Sequence, residues 1–413
     1  MDHFNSHFLR TLSERGYVHQ ITDASELDAQ LSSHTVTAYV GFDATADSLH
    51  IGNLLQIMLL RRLQQCGHRP IVLMGGGTTK VGDPSGRDES RQLLSESQIG
   101  ANLASIRETF DRFLRFDDSS TGAILVNNDD WLAELRYIPF LRDVGAQFTI
   151  NRMLTMDSVR VRLEREQPLT FLEFNYMIMQ SYDFVELHRR YGCTLQMGGS
   201  DQWGNIVMGV DLGRRIREAQ LYGLTSPLLT TASGAKMGKT ASGAVWLNAK
   251  RLSPYDYWQF WRNTEDRDVG RFLRLFTELP LDEIGRLEQL KDAEINAAKQ
   301  VLATEATRLC HGAEAAQSAA ATAARAFSGA ESDGLPTFGL RNGQSALIID
   351  VAIALGMASS RSEARRLVEQ GGVRLNDQPV RTITASVTEA DLGASGTARL
   401  TVGKKRHGLI RRE

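Results

Sequence analysis

The chain has 413 residues, 42% hydrophobic and 23% charged, with a formal net charge of −2. That balance excludes a disordered, collagen-like or disulfide-scaffold protein and a polycation that coats nucleic acid, and the length suits two or three domains. Cys66, Cys193 and Cys310 stand far apart without metal-ligand spacing, Asp2 and His3 occupy the place of a signal peptide's positive charge, and no run of 18 apolar residues occurs, so a cytoplasmic protein with reduced thiols and no membrane partner is expected.

Strand-like and helix-like segments alternate over the first 220 residues. Thr37–Phe42 reads as a buried strand, and Ile51–Gln65 follows with apolar residues at helical spacing. Arg69–Met74 is a second strand, running into Gly75, Gly76 and Gly77. Ser95 and Gln98 form a capping-box pattern that opens a long helix. Ala123–Val126 and Cys193–Met197 are two further strands, with helical segments between them. This order predicts an α/β fold, a Rossmann-like parallel sheet covered on both faces, with ligands beyond the carboxyl ends of the strands. The loops after Phe42, Met74 and Met197 are therefore where chemistry is sought. From Thr230 to Ala244 the chain is small, polar and glycine-rich, which predicts a mobile loop; Ser253–Arg325 reads as helical. The expected domains are 1–228 (catalytic, with an interface insertion at about 131–171), 229–330 (helical), a linker at 331–344, and a small α+β domain at 345–413.

Gly41–Leu54 leaves a strand and enters a helix, and a helix N-terminus suits a phosphate. His50 and Asn53 share its first turn, and Gly52 leaves room for a flat ring; a capped helix start fits the same residues. Gly77 and Gly82 have Walker A spacing, but Asp83 stands where that motif requires lysine, which excludes a P-loop. The predicted helix Thr170–Tyr191 sets Tyr176, Gln180 and Asp183 on one face, either a binding face or a solvated one. Gly198, Gly199 and Asp201 follow a strand, as a ribose-binding carboxylate does, or as a helix cap does. Lys236 and Lys239 flank Met237 and Gly238 in the loop. Two tethered ammonium groups can neutralise a polyphosphate in a transition state; a solvated basic loop fits as well.

The tail is locally basic: from Ser345 onward eleven Lys/Arg face seven Asp/Glu, a difference of +4 in a chain of −2. Ser360 caps a helix that carries Arg361, Arg365 and Arg366, and Lys404 and Lys405 add to the patch. Phosphate binding is the natural use of such a surface.

In combination these segments carry a resemblance. His50, Ile51, Gly52 and Asn53 resemble the HIGH signature of class I aminoacyl-tRNA synthetases, and Lys236–Thr240 resembles their KMSKS loop. Tyr39–Asp43, Gly82–Gly86 and Gly198–Asn205 are similar to the bacterial tyrosyl branch of that family, over nearly the whole chain. The tail looks like the RNA-binding module of a small-subunit ribosomal protein. The resemblance implies a tyrosine–tRNA ligase that uses ATP with Mg²⁺, acts on L-tyrosine and tRNA(Tyr), and forms a homodimer. Tyr39 and Asp183 would hold the phenolic hydroxyl, and Asp83, Tyr176 and Gln180 the α-ammonium. His50 would stabilise the α-phosphate, with Gly41, Gly52 and Asn53 around ATP and the Asp43 backbone N–H nearby. Gly199 and Asp201 would hold the ribose and Gln202 the carboxylate region. Lys236 and Lys239, with Met237 and Thr240 beside them, would bind pyrophosphate. Two departures stand out: Asn53 replaces the second histidine of HIGH, and KMSKS reads KMGKT, which keeps both lysines and loses a hydroxyl. A tryptophanyl-type synthetase and a non-catalytic RNA-binding paralogue are the alternatives.

Overall fold

The computed structural model describes residues 4–85, 94–232, 234, 237–240, 243–328, 335–341, 343–393, 396–403 and 406–412, without the side chains of 239, 240 and 326–328. Lys236, Gly86, Lys404 and Lys405 lie outside the described residues.

The first sheet contains β1 (Gln20–Ile21), β2 (Thr37–Asp43), β3 (Arg69–Gly75), β4 (Ile124–Asn127), β5 (Cys193–Gly199) and β6 (Tyr222–Ser226). Their order across the sheet is β1-β6-β5-β2-β3-β4. Strands β2 to β6 run parallel, and only the two-residue β1 pairs antiparallel. Six of the seven residues of β3 are buried, as a strand covered on both faces must be. From β2 the chain winds outward through β3 to β4. It then returns on the other side of β2 with β5 and β6. The topological switch point therefore lies between β2 and β5, where ligands of such sheets bind.

The helix after β2 spans Ile51–Gln65, over the residues that the periodicity marks. The Ser95–Gln98 capping box opens a helix at Glu96–Phe110, as expected. The Thr170–Tyr191 prediction becomes two helices, Phe171–Phe174 and Tyr176–Tyr191, interrupted at Asn175, whose amide N–H bonds back to Phe171 O. Strands β1 and β6 were not legible; β6 is buried at all five positions and so lacks the alternation of a half-exposed strand.

Helices Pro254–Arg262, Val269–Phe276, Ile295–His311 and Ala313–Ser328 form the helical region. Its Trp261, Phe272 and Phe276 belong to the same buried cluster as Val40, Leu55 and Met58 of the sheet region. The two parts thus share one core. Arg61 and Arg62 fasten the join: Arg61 pairs with Glu278 at 2.7 Å, and Arg62 donates to Thr277 O.

The last domain has its own core around Ile348, Val351, Val368, Leu400 and Ile410. Its sheet runs in the order Gln378–Pro379, Val373–Leu375, Thr397–Val402, Arg406–Arg412, Thr337–Leu340. The final pair is parallel. Thr337–Leu340 thus falls inside the stretch read as linker: its short run between glycines hides a strand that only long-range pairing creates.

Candidate active site

Beyond the carboxyl ends of β2, β3 and β5 opens a cavity of about 1100 Å³. It is lined by Tyr39, Gly41, Asp43, His50, Gly52, Asn53, Asp83, Tyr176, Gln180, Asp183, Gly199, Asp201, Gln202 and Met237. Residues up to 198 positions apart in the chain therefore converge on one space.

The first group is built around Asp183. This carboxylate is only 1% exposed, yet it accepts from Asn128 Nδ2 at 2.9 Å and Trp131 Nε1 at 2.8 Å. Burial pushes its pKa up to about 7, against the lowering effect of those two bonds; Asp43 and Glu186 add to the rise. Asn128 is fully engaged. Its Oδ1 accepts from the Gly77 N–H at 2.8 Å, and its second amide hydrogen reaches Thr78 Oγ1 at 3.0 Å. The carboxylate is thus held in one orientation. Tyr39, on β2, is 1% exposed, and its ring meets Phe184 edge-on at 5.3 Å. Its hydroxyl has no hydrogen-bond partner among the described residues. Burial, then the Asp183 charge, raises its pKa well above that of a free phenol. A buried hydroxyl without a partner is costly, and this one lines the cavity.

The second group is acidic and amide-rich. Tyr176 OH donates to Asp43 Oδ2 at 3.1 Å, and Thr78 Oγ1 donates to Asp43 Oδ1 at 2.8 Å. The Asp43 carboxylate is thus also part of the site, besides the backbone N–H that the resemblance singles out. Asp83 Oδ2 accepts from Gln202 Nε2 at 2.8 Å. Asn205 Nδ2 donates to Gln180 Oε1 at 2.9 Å and to Gln202 Oε1 at 3.3 Å. The chain Asp83–Gln202–Asn205–Gln180 presents acceptors to a cation. On the Tyr176–Tyr191 helix, Tyr176 and Asp183 are seven residues, or about 10 Å, apart, which is close to the length of a tyrosine molecule.

The third group surrounds the start of the Ile51–Gln65 helix. His50 is its N-cap. Gly52 N–H donates to His50 Nδ1 at 3.0 Å, and His50 N–H donates to Asn53 Oδ1 at 3.1 Å, a reciprocal capping box. Because Nδ1 accepts, the neutral ring carries its proton on Nε2, which is a donor. Asn53 spends its carbonyl on the cap, so its NH₂ is the end that can reach a ligand. A Cβ at Gly52 would lie 2.7 Å from His50 Cε1, so glycine is what lets the imidazole fold back. At Gly199 a Cβ would lie 2.6 Å from Asp201 Oδ1, so glycine also seats that carboxylate.

The residues that follow the glycine-rich loop are bonded to this helix start. Ile51 N–H donates to Val245 O, Leu247 N–H to Leu49 O, and Val245 N–H to Gly238 O, at 2.9 to 3.0 Å. Arg251 lies 5.2 Å over the Trp246 ring and pairs with Asp47. Met237 is buried against the core. Gly238 does more than omit a hydroxyl: its φ is +113°, and a Cβ there would lie 3.4 Å from Gly52 N. The backbone of Lys239–Thr240 pairs with Gly243–Ala244 as a short hairpin.

On the last domain, Ser360 caps the Arg361–Glu369 helix as expected. Arg361, Arg365 and Arg366 are exposed, and Arg361 also makes a two-point contact with Asp350 at 2.8 and 2.9 Å. Exposed Arg374 and Arg381 enlarge the basic surface.

Asn128, Trp131, Thr78 and Asn205 were missed as site residues. A signal existed for Asn128: it follows the carboxyl end of β4, where the same ligand rule applies.

Comparison with known proteins gives the family and the fold. A family model described as tRNA synthetases class I (W and Y) matches residues 31–328, and an S4 domain model matches residues 349–388. The chain is 61% identical to a tyrosine–tRNA ligase of Caulobacter sp. (strain K31), over 99% of this chain and 98% of that one. It is 60% identical to a tyrosine–tRNA ligase of Rhodospirillum rubrum, over 98% of each. Among solved structures it resembles a C-terminally truncated mitochondrial tyrosyl-tRNA synthetase of Aspergillus nidulans, with TM-score 0.70 and 32% identity over 78% of this chain and 94% of that one. A tryptophanyl-tRNA synthetase of Encephalitozoon cuniculi shares the fold, with TM-score 0.54 and 11% identity over 75% of this chain and 87% of that one. With its parallel sheet, a class I family model matched over residues 31–328 and a relative matched over nearly the whole of both chains, the chain belongs to the tyrosine–tRNA ligase family of class I tRNA synthetases.

Proposed function

We propose that the cavity takes L-tyrosine beside ATP, and that the enzyme joins tyrosine to tRNA(Tyr). One observation carries the amino acid assignment. A buried carboxylate held by two donors shares a pocket with a buried tyrosine hydroxyl that lacks a partner among the described residues. A phenol satisfies both: it donates to Asp183 and accepts from Tyr39. Indole offers a donor and no acceptor, so it would leave Tyr39 unpaired, which disfavours a tryptophanyl reading.

The other roles follow from the same groups. Asp83, Tyr176 and Gln180, joined by Asp43, face the α-ammonium. Asp201, seated by Gly199, receives the ribose hydroxyls, and Gln202 lies beside the carboxylate. His50 Nε2–H and the helix N-terminus meet the α-phosphate. The tyrosine carboxylate oxygen attacks the α-phosphorus, the bond to the bridging oxygen breaks, and pyrophosphate leaves toward Lys236 and Lys239. A hydroxyl of the terminal tRNA ribose then attacks the activated carbonyl and releases AMP. No protein nucleophile takes part; positioning and charge stabilisation do the work. Mg²⁺ would arrive on the ATP phosphates, its usual mode in nucleotide sites. Among the described residues no group of three His, Cys, Asp or Glu side chains is placed as a metal cage. Arg365 and Arg366, with Lys404 and Lys405, would meet tRNA phosphates. No helix among the described residues is long and apolar enough to cross a membrane, which suits work in the cytoplasm, where tRNA is charged.

Tyrosine-dependent exchange of pyrophosphate into ATP, without RNA, tests this reading. Exchange with tyrosine and not with phenylalanine or tryptophan is the expected result. Absence of exchange with all three would favour the non-catalytic RNA-binding paralogue.

A homodimer is part of the proposal. Among the described residues, eight of the eleven exposed large apolar side chains lie between 137 and 172, with Tyr137, Ile138, Ile150 and Phe171 each more than half exposed. A patch of that kind marks an interface, and a second copy would cover it. Ile138→Asp combined with Phe171→Asp is expected to halve the mass seen by light scattering at micromolar concentration. An unchanged mass would place the interface elsewhere.

A further inference from the structure

We propose that Arg190 is a positioning residue for the phenol site: packed over Trp131, it keeps the indole N–H on the Asp183 carboxylate. This rests on the tyrosine reading of that pocket. Trp131 sits on Asp129–Leu132, a single helical turn too short to fix a large ring by itself. The indole is 3% exposed, and its Nε1 must point at Asp183 Oδ1, 2.8 Å away, for the carboxylate to keep its orientation. The ring is buried in a cluster with Val126, Phe184 and Leu187, and Arg190 adds a polar constraint on the face it covers. Its guanidinium carbon lies 5.1 Å from the Trp131 ring centroid. Its Nε donates to Glu186 Oε2 at 2.9 Å, which holds the plane over the ring. Glu186 is itself 5% exposed and anchored by Tyr182 OH at 3.0 Å and Arg189 at 2.8 Å. Asp183, Glu186 and Arg190 occur at positions i, i+3 and i+7 of the Tyr176–Tyr191 helix. One helical face thus carries both the carboxylate and the clamp that orients its donor. Arginine suits the task because its planar fork can stack and hydrogen-bond at once, which an ammonium cannot.

Arg189 provides the control. It pairs with the same Glu186 carboxylate, and among the described residues its guanidinium is not stacked over the Trp131 ring. The test is exchange with tyrosine and with phenylalanine, in the full-length enzyme, for wild type, Arg190→Ala, Arg190→Gln, Arg190→Lys and Arg189→Ala. The ratio of the two kcat/KM values cancels the fraction of active enzyme, so partial unfolding does not disturb it. Arg190→Ala and Arg190→Gln are expected to lower the tyrosine-to-phenylalanine ratio about fivefold, through a higher tyrosine KM, with KM for ATP unchanged. Arg190→Lys should fall between them and wild type, and Arg189→Ala should match wild type. A wild-type ratio in both Arg190→Ala and Arg190→Gln overturns the proposal. So does an equal loss in Arg189→Ala, which would assign the effect to the charge on Glu186. A wild-type enzyme that does not prefer tyrosine would instead refute the phenol site itself.

Discussion

Asp183→Asn is expected to lower kcat/KM for tyrosine about 10²- to 10³-fold and to leave that for phenylalanine nearly unchanged. The asparagine carbonyl can serve one of the two donors, Asn128 Nδ2 or Trp131 Nε1; its NH₂ faces the other. One buried N–H is left unpaired, and the phenol loses a charged acceptor. The unpaired N–H burdens the free enzyme and both complexes alike and costs stability; the lost charged acceptor, with the phenol O–H left buried against an NH₂, costs tyrosine alone about 3 to 4 kcal/mol, which sets the fold-change. Phenylalanine never uses the carboxylate, so discrimination collapses toward the contribution of Tyr39 alone. Rejection of a substrate that lacks the hydroxyl is largest where the site's polar groups are buried, for which this family is itself the reference case at about 10⁵. Steady-state exchange with both amino acids checks the prediction. Equal losses for tyrosine and phenylalanine would mean that Asp183 supports the pocket wall and not the phenol.

The same residue has a pH signature. Burial raises the Asp183 pKa from 3.8 to about 7 in the folded chain. Between those values the folded protein keeps a proton that the unfolded chain has lost. This group therefore makes the ligand-free protein less stable as pH rises from about 4 to about 7, and its full penalty stands above that window. A bound phenol donates to the ionised form and opposes the trend. Tyrosine KM should rise below pH 7, toward tenfold per unit, while phenylalanine KM stays flat. In Asp183→Asn the KM slope should disappear and the stability profile should lose this group's downward share, leaving the upward slope of His311 and His68, whose burial lowers their pKa, as read by exchange and thermal melts across pH 5.5 to 8.

Much of this site was legible before folding because its parts obey local rules. Periodicity placed Ile51–Gln65, and alternation of segment types placed β2, β3 and β5. Helical spacing put Tyr176, Gln180 and Asp183 on one face. The groups that hold those residues were not legible, because their partners are far away in sequence. Asn128 is 55 positions from Asp183, and nothing in either neighbourhood predicts their bond. Gly238 shows the limit differently. As a letter it reads as a lost hydroxyl in the lysine loop; in the fold its positive φ brings the loop onto Gly52. Asn53 likewise reads as a weakened histidine, yet its carbonyl completes the cap that orients His50.

That cap allows a clean test of His50. His50→Ala removes both an N-cap and a donor to the α-phosphate. The two losses differ in kind. Loss of the cap costs about 1 kcal/mol of stability, and loss of a transition-state donor costs about 3 kcal/mol in rate, or 10²- to 10³-fold in kcat. His50→Asn separates them. Asparagine is among the strongest N-caps, so it can accept from the first-turn N–H groups as the imidazole does from Gly52. Its side chain is too short to carry a donor to where His50 Nε2 stands. Melting should therefore return to near wild type in His50→Asn, while kcat for exchange stays as low as in His50→Ala and tyrosine KM is unchanged in both. If His50→Asn recovered the rate together with the stability, the helix start would be the active element, and the imidazole would be no more than its cap.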